Sequence, residues 1–384
     1  MPQRLFIDIH IVQTVPPSNI NRDDQGNPKE AIYGGVRRSR VSSQAWKRAS
    51  RHHFDALALP ADRATRTKRL TGELTARIAR TAGLEREEAA RIATALLAQL
   101  GLSRGKKPGE TAYLLFYGNA QLDAVAALVA DRAADLAALK DRDLAKAVRE
   151  IPVAETFKTG HPVGVALFGR MVADIPALNV DAAVQVAHAL STHETQLEFD
   201  YFTAVDDQNE QEETGAGMIG TIGFNSATLY RYATVGFEQL RDNLGADTEM
   251  ALDALHRFVE SFALSAPTGY QNSFAHRTRP SVIAVVVRAD QPVNLVSAFE
   301  EPVLPQAGIQ ASSARRLAEE HITAGHMWGD TPLLTLVSHA FAEHEPRTKD
   351  TAEALNQAFG ESVAFPDLLM ALRRGIASAL EDKR

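Results

Sequence analysis

The sequence predicts an α+β protein, and three observations predict it. Residues 4–13 alternate, with Leu5, Ile7, Ile9 and Ile11 pointing one way and Phe6, Asp8 and His10 the other. That period of two marks a half-buried strand. Residues 281–288, SVIAVVVR, form a short apolar run rich in β-branched side chains, as in a buried strand. Residues 61–150 are instead rich in Ala, Leu, Arg and Glu, with helical spacing over 68–100 and again over 121–149.

In chain order, the first strand is followed by a polar, Pro-containing loop from Pro16 to about Val41. Ser42 and Ser43 then offer N-caps for a helix from about Gln44 to Leu57. The helical stretch of 61–150, broken by Gly101, Gly105, Pro108 and Gly109, reads as an inserted subdomain. Beyond Pro152 the pattern predicts a strand over 163–173, a helix over 181–193, an acidic run and the Gly-rich stretch Gly215 to Gly223. A strand over 224–235, a helix over 248–265 and the strand over 281–288 come next. Helices over 309–326, 350–358 and 365–382 close the chain. With insertions set aside, the order is strand, helix, strand, strand, helix, strand, which is ferredoxin-like (RRM-type).

The chain of 384 residues is long enough for two or three domains. It has no cysteine, which excludes disulfides, Cys-ligated zinc, iron–sulfur clusters and thiol nucleophiles. The first ten residues, MPQRLFIDIH, are interrupted by Asp8 and do not read as a signal peptide. The run Val282 to Val287 is too short to span a bilayer. A cytoplasmic protein is expected. The net charge of −7 is segregated. From Val36 to Arg51 there are six basic residues (Arg37, Arg38, Arg40, Lys47, Arg48, Arg51) and no acid. From Glu198 to Glu213 there are seven acids and no Lys or Arg. One surface suited to phosphate and another suited to solvent or a basic partner would give this distribution.

The segment Asn21 to Arg51 carries the most chemistry. On the expected helix, Gln44, Lys47, Arg48 and Arg51 share one face. The helix N-terminus adds free N–H groups and the positive end of the dipole. Arg22, Lys29, Arg37, Arg38 and Arg40 precede it. From the residues alone, this face is either a phosphate-binding surface or a solvated basic helix. Gly215-Ala-Gly-Met-Ile-Gly220 fits GxGxxG, but an acidic run precedes it and strand-like Thr221-Ile-Gly-Phe follows, so a dinucleotide site is rejected. A projecting loop or hairpin with Met218 and Ile219 at its tip fits better. Tyr201 and Phe202 either stack on bases or anchor that loop. Met171, after Arg170, is a core residue or a ligand contact. Histidine pairs five residues apart make no metal site, and no Walker lysine or nucleophile elbow is present. Asp206 and Asp207 offer a weak candidate for Mg²⁺.

The segments IDIHIVQTVPPSNINRDD, AIYGGVRRSRVSSQAWKRA, FTAVDDQNEQ and LYRYATV, in that order, carry a family resemblance. The chain resembles the CasC backbone subunit of the type I-E CRISPR surveillance complex (Cascade), most strongly over 4–54 and 185–240. The resemblance implies a right-hand shape. A ferredoxin-like, RRM-type palm is expected from 1–60, 151–193 and 224–384, the last part carrying the C-terminal helices. Helical fingers are expected at 61–150 and a thumb hairpin at 194–223. It further implies no catalysis, no cofactor and no metal. The implied partners are a guide RNA (crRNA), further copies of the same chain, target DNA through guide pairing, and other Cascade subunits: large, small, 5′-end cap and crRNA-processing. A recruited helicase-nuclease would act on the whole complex.

Carried over residue by residue, guide contacts fall on Asn21, Arg22, Lys29, Arg38, Ser42, Gln44, Lys47, Arg48, Arg51 and Arg170. Met171 and Ile219 fall where the family sets apolar side chains against bases. Tyr201, Phe202 and Thr203 fall at the base of the thumb. Tyr270 stands where the family has a lysine, so a phosphate contact there is not carried over. Two other readings stay open. In one, Asp206 or Asp207 supports metal-dependent RNA cleavage, as in type III backbone subunits. In the other, the chain is a free-standing single-strand RNA-binding protein.

Overall fold

The computed structural model describes residues 4–57, 62–102, 105–172, 175–204, 218–305 and 308–381. Its strands are β1 (Phe6–Ser18), β2 (Glu30–Tyr33), β3 (Val36–Val41), β4 (Ala64–Thr67), β5 (Leu115–Gly118), β6 (Val184–Val186), β7 (Ala189–Ser191), β8 (Glu198–Ala204), β9 (Met218–Gly236), β10 (Val282–Arg288) and β11 (Leu334–His339). Its helices begin with α1 (Ser43–Leu57), α2 (Leu70–Ala82), α3 (Arg86–Ala98), α4 (Asn119–Ala127), α5 (Ala133–Ala138), α6 (Asp141–Ala147), α7 (Val153–Lys158) and α8 (Val163–Phe168). They continue with α9 (Phe237–Asn243), α10 (Thr248–Leu264), α11 (Gln271–Phe274), α12 (Ile309–Trp328), α13 (Lys349–Phe359) and α14 (Phe365–Glu381). The fold is α+β, with an open multi-stranded sheet and helical insertions. Two units divide the chain: Met1–His53 with Val186–Val235 and His256–Arg384, and Phe54–Gln185 with Gly236–Leu255.

The sheet of the first unit runs β11-β10-β1-β9-β7-β3-β2. β1 and β10 pair antiparallel with Ile9 opposite Val285, and β10 pairs β11 with Val285 opposite Leu336. One face meets α12 and α13: Val12, Tyr230, Tyr232, Ala284 and Val286 pack with Leu317, Leu355 and Phe359. On the other face Arg231 lies between the rings of Trp46 on α1 and Phe262 on α10, with guanidinium-to-ring distances of 3.7 and 4.6 Å. Both faces are therefore covered, and β1 is not the half-buried strand its alternation predicts. Asp8 and His10 are buried along with Ile7, Ile9 and Ile11. A charge buried this way needs partners. Asp8 accepts from the Tyr232 hydroxyl at 2.8 Å, the Val293 amide at 2.9 Å and Arg288 Nε at 3.1 Å. Arg288 also reaches Asp330 at 3.1 Å.

The second unit is mainly helical. Leu74 and Ile78 of α2, Ile92 and Leu96 of α3, and Leu122 and Val125 of α4 share its core. A two-stranded sheet, β4 with β5, lies beside them.

Four expectations change. Residues 163–173 begin as helix α8, not a strand; Val165, Ala166 and Leu167 are fully buried. A short, wholly buried apolar run lacks the alternation that separates strand from helix. Residues 181–193 contain β6 and β7, not a helix. Leu190 pairs with both Tyr230 of β9 and Arg40 of β3, so non-local pairing overrides the helical preference of its alanines. The expected loop before α1 contains the β2–β3 hairpin. Its turn residues Gly34 and Gly35 have φ of +59° and +78°, as a two-residue hairpin turn requires. β11, in a segment with no strand expected, closes one end of the sheet.

Candidate nucleic-acid interface

The loop after β1 is built to hold a basic segment against the start of α1. Asp23 Oδ1 accepts from the amides of Gln25 and Asn27, an Asx turn that reverses the chain. Asn19 Nδ2 donates to the carbonyls of Gly26 and Gly223, which ties the loop to the root of the β8–β9 hairpin. Asn21 Oδ1 accepts from the Ser42 amide at 2.8 Å, and the Asn21 carbonyl accepts from the Lys29 amide at 2.9 Å. Ser42 Oγ accepts from the Ala45 amide at 3.3 Å and so caps the helix. Asn21 and Ser42 thus brace the loop against the start of α1.

Gln44 and Arg48 are exposed on α1, and Lys47 and Arg51 are half-buried beside them. Trp46, on another face of the helix, is buried under the sheet. The electrostatics carry the sign of this surface. Exposed His52 titrates below the usual histidine value through desolvation and the charges of Arg48 and Arg51. Exposed His188 is also lowered, by desolvation and by Arg40 and Lys29. Arg40 lies 3.1 Å from its ring. Cations of the loop, β3 and α1 thus add to desolvation at two histidines from different elements. His188 falls in the stretch whose strand character local pattern misses, and His52 shows only as a neighbour of Arg48 and Arg51.

Arg22 extends this surface. It is exposed, and its guanidinium lies 4.7 Å above the ring of Tyr270. Tyr270 meets the edge of Phe274 at 6.4 Å, and Phe274 meets Phe224 of β9 at 5.9 Å. A Cβ at Gly269 would lie 2.6 Å from the carbonyls of Asn19 and Ile20, so glycine lets these segments close up.

The hairpin presents aromatic rings. β8 pairs antiparallel with β9 from Glu198 opposite Phe224 to Ala204 opposite Met218. Phe199 and Tyr201 share one face of β8 and are about 60 % exposed, at 61% and 60%. Phe202 is exposed on the other face, where a Cβ at Gly220 would overlap its ring. Phe199 is the aromatic residue that sequence reasoning missed, and its period-two spacing from Tyr201 is the signal that marks it. Met218 and Ile219 lie within β9 rather than at a loop tip, and strand follows the GxGxxG run. The side chains of Thr203 and Ile219, and residues 205–217 with Asp206 and Asp207, lie outside the described residues.

Two expected contacts are corrected. Arg38 is fully buried and donates to the carbonyls of Tyr33, Ser191, Phe299 and Glu300. Arg170, in the second unit, donates to the carbonyls of Leu178, Phe116 and Phe157, and burial pulls it down to about 10. In this structure both guanidinium groups are buried and engaged by carbonyls of their own chain. Met171 beside Arg170 is 84% exposed. Among the described residues, no group of three or more His, Cys, Asp or Glu could hold a metal ion, and no helix is long and apolar enough to cross a membrane.

An open α+β sheet, helical insertions, a basic loop–helix surface and an aromatic hairpin define the class of protein. The chain belongs to the CT1975-like protein family, whose model matches residues 7–364. It is homologous to subunits of CRISPR surveillance complexes. One similar structure is a chain of a "CRISPR RNA-guided surveillance complex, pre-nicking", 33% identical, with TM-score 0.78, covering 96% of this chain and 99% of that one. Another is a chain of a "CRISPR RNA-guided surveillance complex", 28% identical, with TM-score 0.62, covering 97% and 99%. No curated protein matches the chain.

Proposed function

We propose that the chain is the CasC-type backbone subunit of a type I-E Cascade complex: it binds guide RNA without cutting it and oligomerises along it. The observation that carries the reading is the basic surface assembled from the 19–29 loop, β3 and α1, with Arg22 and Arg48 exposed, Arg40 3.1 Å from the His188 ring, and Asn21 tying the loop to the start of α1. Single-stranded RNA supplies the matching line of phosphates. The sheet order β10-β1-β9-β7, with α1 following β1 and α10 preceding β10, supports an RRM-like palm. In this reading the palm is assembled from 1–60, 151–193 and 224–384, the fingers are 61–150 and the thumb is 194–223.

Phosphates meet Arg22, Lys29, Gln44, Lys47, Arg48 and Arg51, which grip the backbone and leave base edges available. Sequence is then read by pairing between guide and target DNA, while the protein recognises backbone and shape. Repeated head-to-tail contacts between copies give a helical assembly. Other Cascade subunits complete the particle, a recruited helicase-nuclease cuts the target, and the site of action is the cytoplasm.

The test is a salt titration of RNA affinity. The double variant Lys47→Ala/Arg51→Ala should weaken binding of every sequence alike. Each lost phosphate contact should lower the log–log salt slope by roughly 0.7. An unchanged slope would show that this face of α1 is only solvated.

A further inference from the structure

Tyr270 is held in an unusual place. Its φ of +47° is left-handed, a region that bulky L-residues rarely occupy. Ala275, at the other end of the short helix α11, has φ of +45°. Several contacts hold the segment in this conformation. Gly269 closes on the carbonyls of Asn19 and Ile20, the buried His276 ring bonds the Pro267 carbonyl at 2.8 Å, and Gln13 Nε2 donates to the Thr278 carbonyl at 2.8 Å. Backbone strain that the surrounding structure maintains clusters at functional sites. The ring presented here is 36% exposed rather than packed in the core.

Arg22 lies over that ring at 4.7 Å and is itself exposed. Among the described residues it forms no ion pair, and the carboxylate next in sequence, Asp23, accepts through Oδ1 from the amides of Gln25 and Asn27. A guanidinium stacked on an aromatic ring has a second flat face and in-plane N–H donors. The flat face suits a nucleobase, and the donors suit phosphate or base oxygens. Arg277 and Arg279, both exposed, lie further along the same segment. The adjoining residue Asn21 is bonded to the start of α1, so the stack continues the basic surface.

We propose that Arg22 and Tyr270 form a stacking platform for one unpaired nucleobase of the bound RNA, with the guanidinium sandwiched between base and phenol. The proposal rests on the RNA-binding reading above and adds a base contact to a surface otherwise suited to phosphates.

The full chain is titrated with an oligouridylate and with an abasic oligoribose phosphate of the same length, which keeps the charges and lacks the bases. Wild type should prefer the oligouridylate by about tenfold, the loss expected when one base–aromatic stack is removed. Tyr270→Ala and Arg22→Ala should each bring that preference close to one, and Tyr270→Phe should retain it. Tyr270→Ala should leave the salt slope unchanged, since no charge is removed. If Tyr270→Ala does not fold, Arg22→Ala carries the comparison, because its side chain is exposed. A preference that survives removal of either side chain assigns stacking to the β8 rings and overturns the platform. Equal binding of both RNAs by wild type overturns it as well. No binding of either RNA overturns the platform and the RNA-binding reading together.

Discussion

The two exposed histidines make the charge of the interface measurable at single residues. His52 and His188 lie below their ordinary value because burial and neighbouring cations oppose a further positive charge. A phosphate placed on Arg48, Arg51 or Lys29 reverses the electrostatic part of that shift. RNA should therefore raise both values, bind with proton uptake, and bind more tightly as pH falls from roughly 7.5 to roughly 5.5. Without RNA the sign is opposite. A lowered folded value means the unfolded chain holds more protons between that value and the unfolded one. Stability contributed by these groups is intact above about 6.5 and falls as pH drops below it. Imidazole NMR titrations with and without RNA check this, and values that stay put or fall on binding would rule out phosphate at these positions. Arg38 and Arg170 show why residue type alone cannot assign such contacts. Arginine serves equally as a phosphate fork and as a buried donor to several carbonyls.

At the scale of elements, short tethers position the interface. The β2–β3 hairpin turns at Gly34, where an added Cβ would overlap the Glu300 carbonyl, one of the acceptors of Arg38. Gly34→Ala should therefore cost about 2 kcal/mol or more, combining left-handed strain with displacement of that carbonyl. Chemical denaturation checks the size. Because β3 leads directly into α1, the variant should also weaken RNA binding while leaving the salt slope near wild type. A wild-type melting curve would show that the turn adjusts freely. The same logic applies in β9, where glycines at 220 and 223 admit the Phe202 ring and the Asn27 side chain.

At the scale of the whole molecule, the proposed function requires copies to meet along one RNA. The purified protein should then carry RNA of uniform length, which a free-standing single-strand binder would not select. In that proposal the β8–β9 hairpin, with exposed Phe199, Tyr201 and Phe202, is the element that would cross to a neighbour. Replacing exposed Tyr201 with Asp should leave the monomer's melting temperature unchanged and should reduce assembly, or protection of the RNA from nuclease. A charge desolvated in a contact between copies is costly. Loss of monomer stability with assembly intact would instead assign the Tyr201 ring to packing within its own chain.

The linear pattern determined the elements whose periodicity is local: β1, α1, the 224–235 part of β9, α10, β10 and the closing helices α12 to α14. It also determined that Gln44, Lys47, Arg48 and Arg51 share a helix face, since 3.6 residues per turn fixes that spacing without help from the rest of the chain. Only the tertiary structure decided what depends on distant partners. Residues 163–168 and 184–191 took their conformations from burial and from pairing with β3 and β9. Asp8 and His10 were buried because α12 and α13 cover a face that alternation alone leaves open. Arg38 was drawn inward by carbonyls contributed from Ser191 and Phe299, and Arg22 was matched to Tyr270 across most of the chain. In each case the free energy of a polar or apolar group depends on which surface finally covers it, and that surface is contributed by segments far away in sequence.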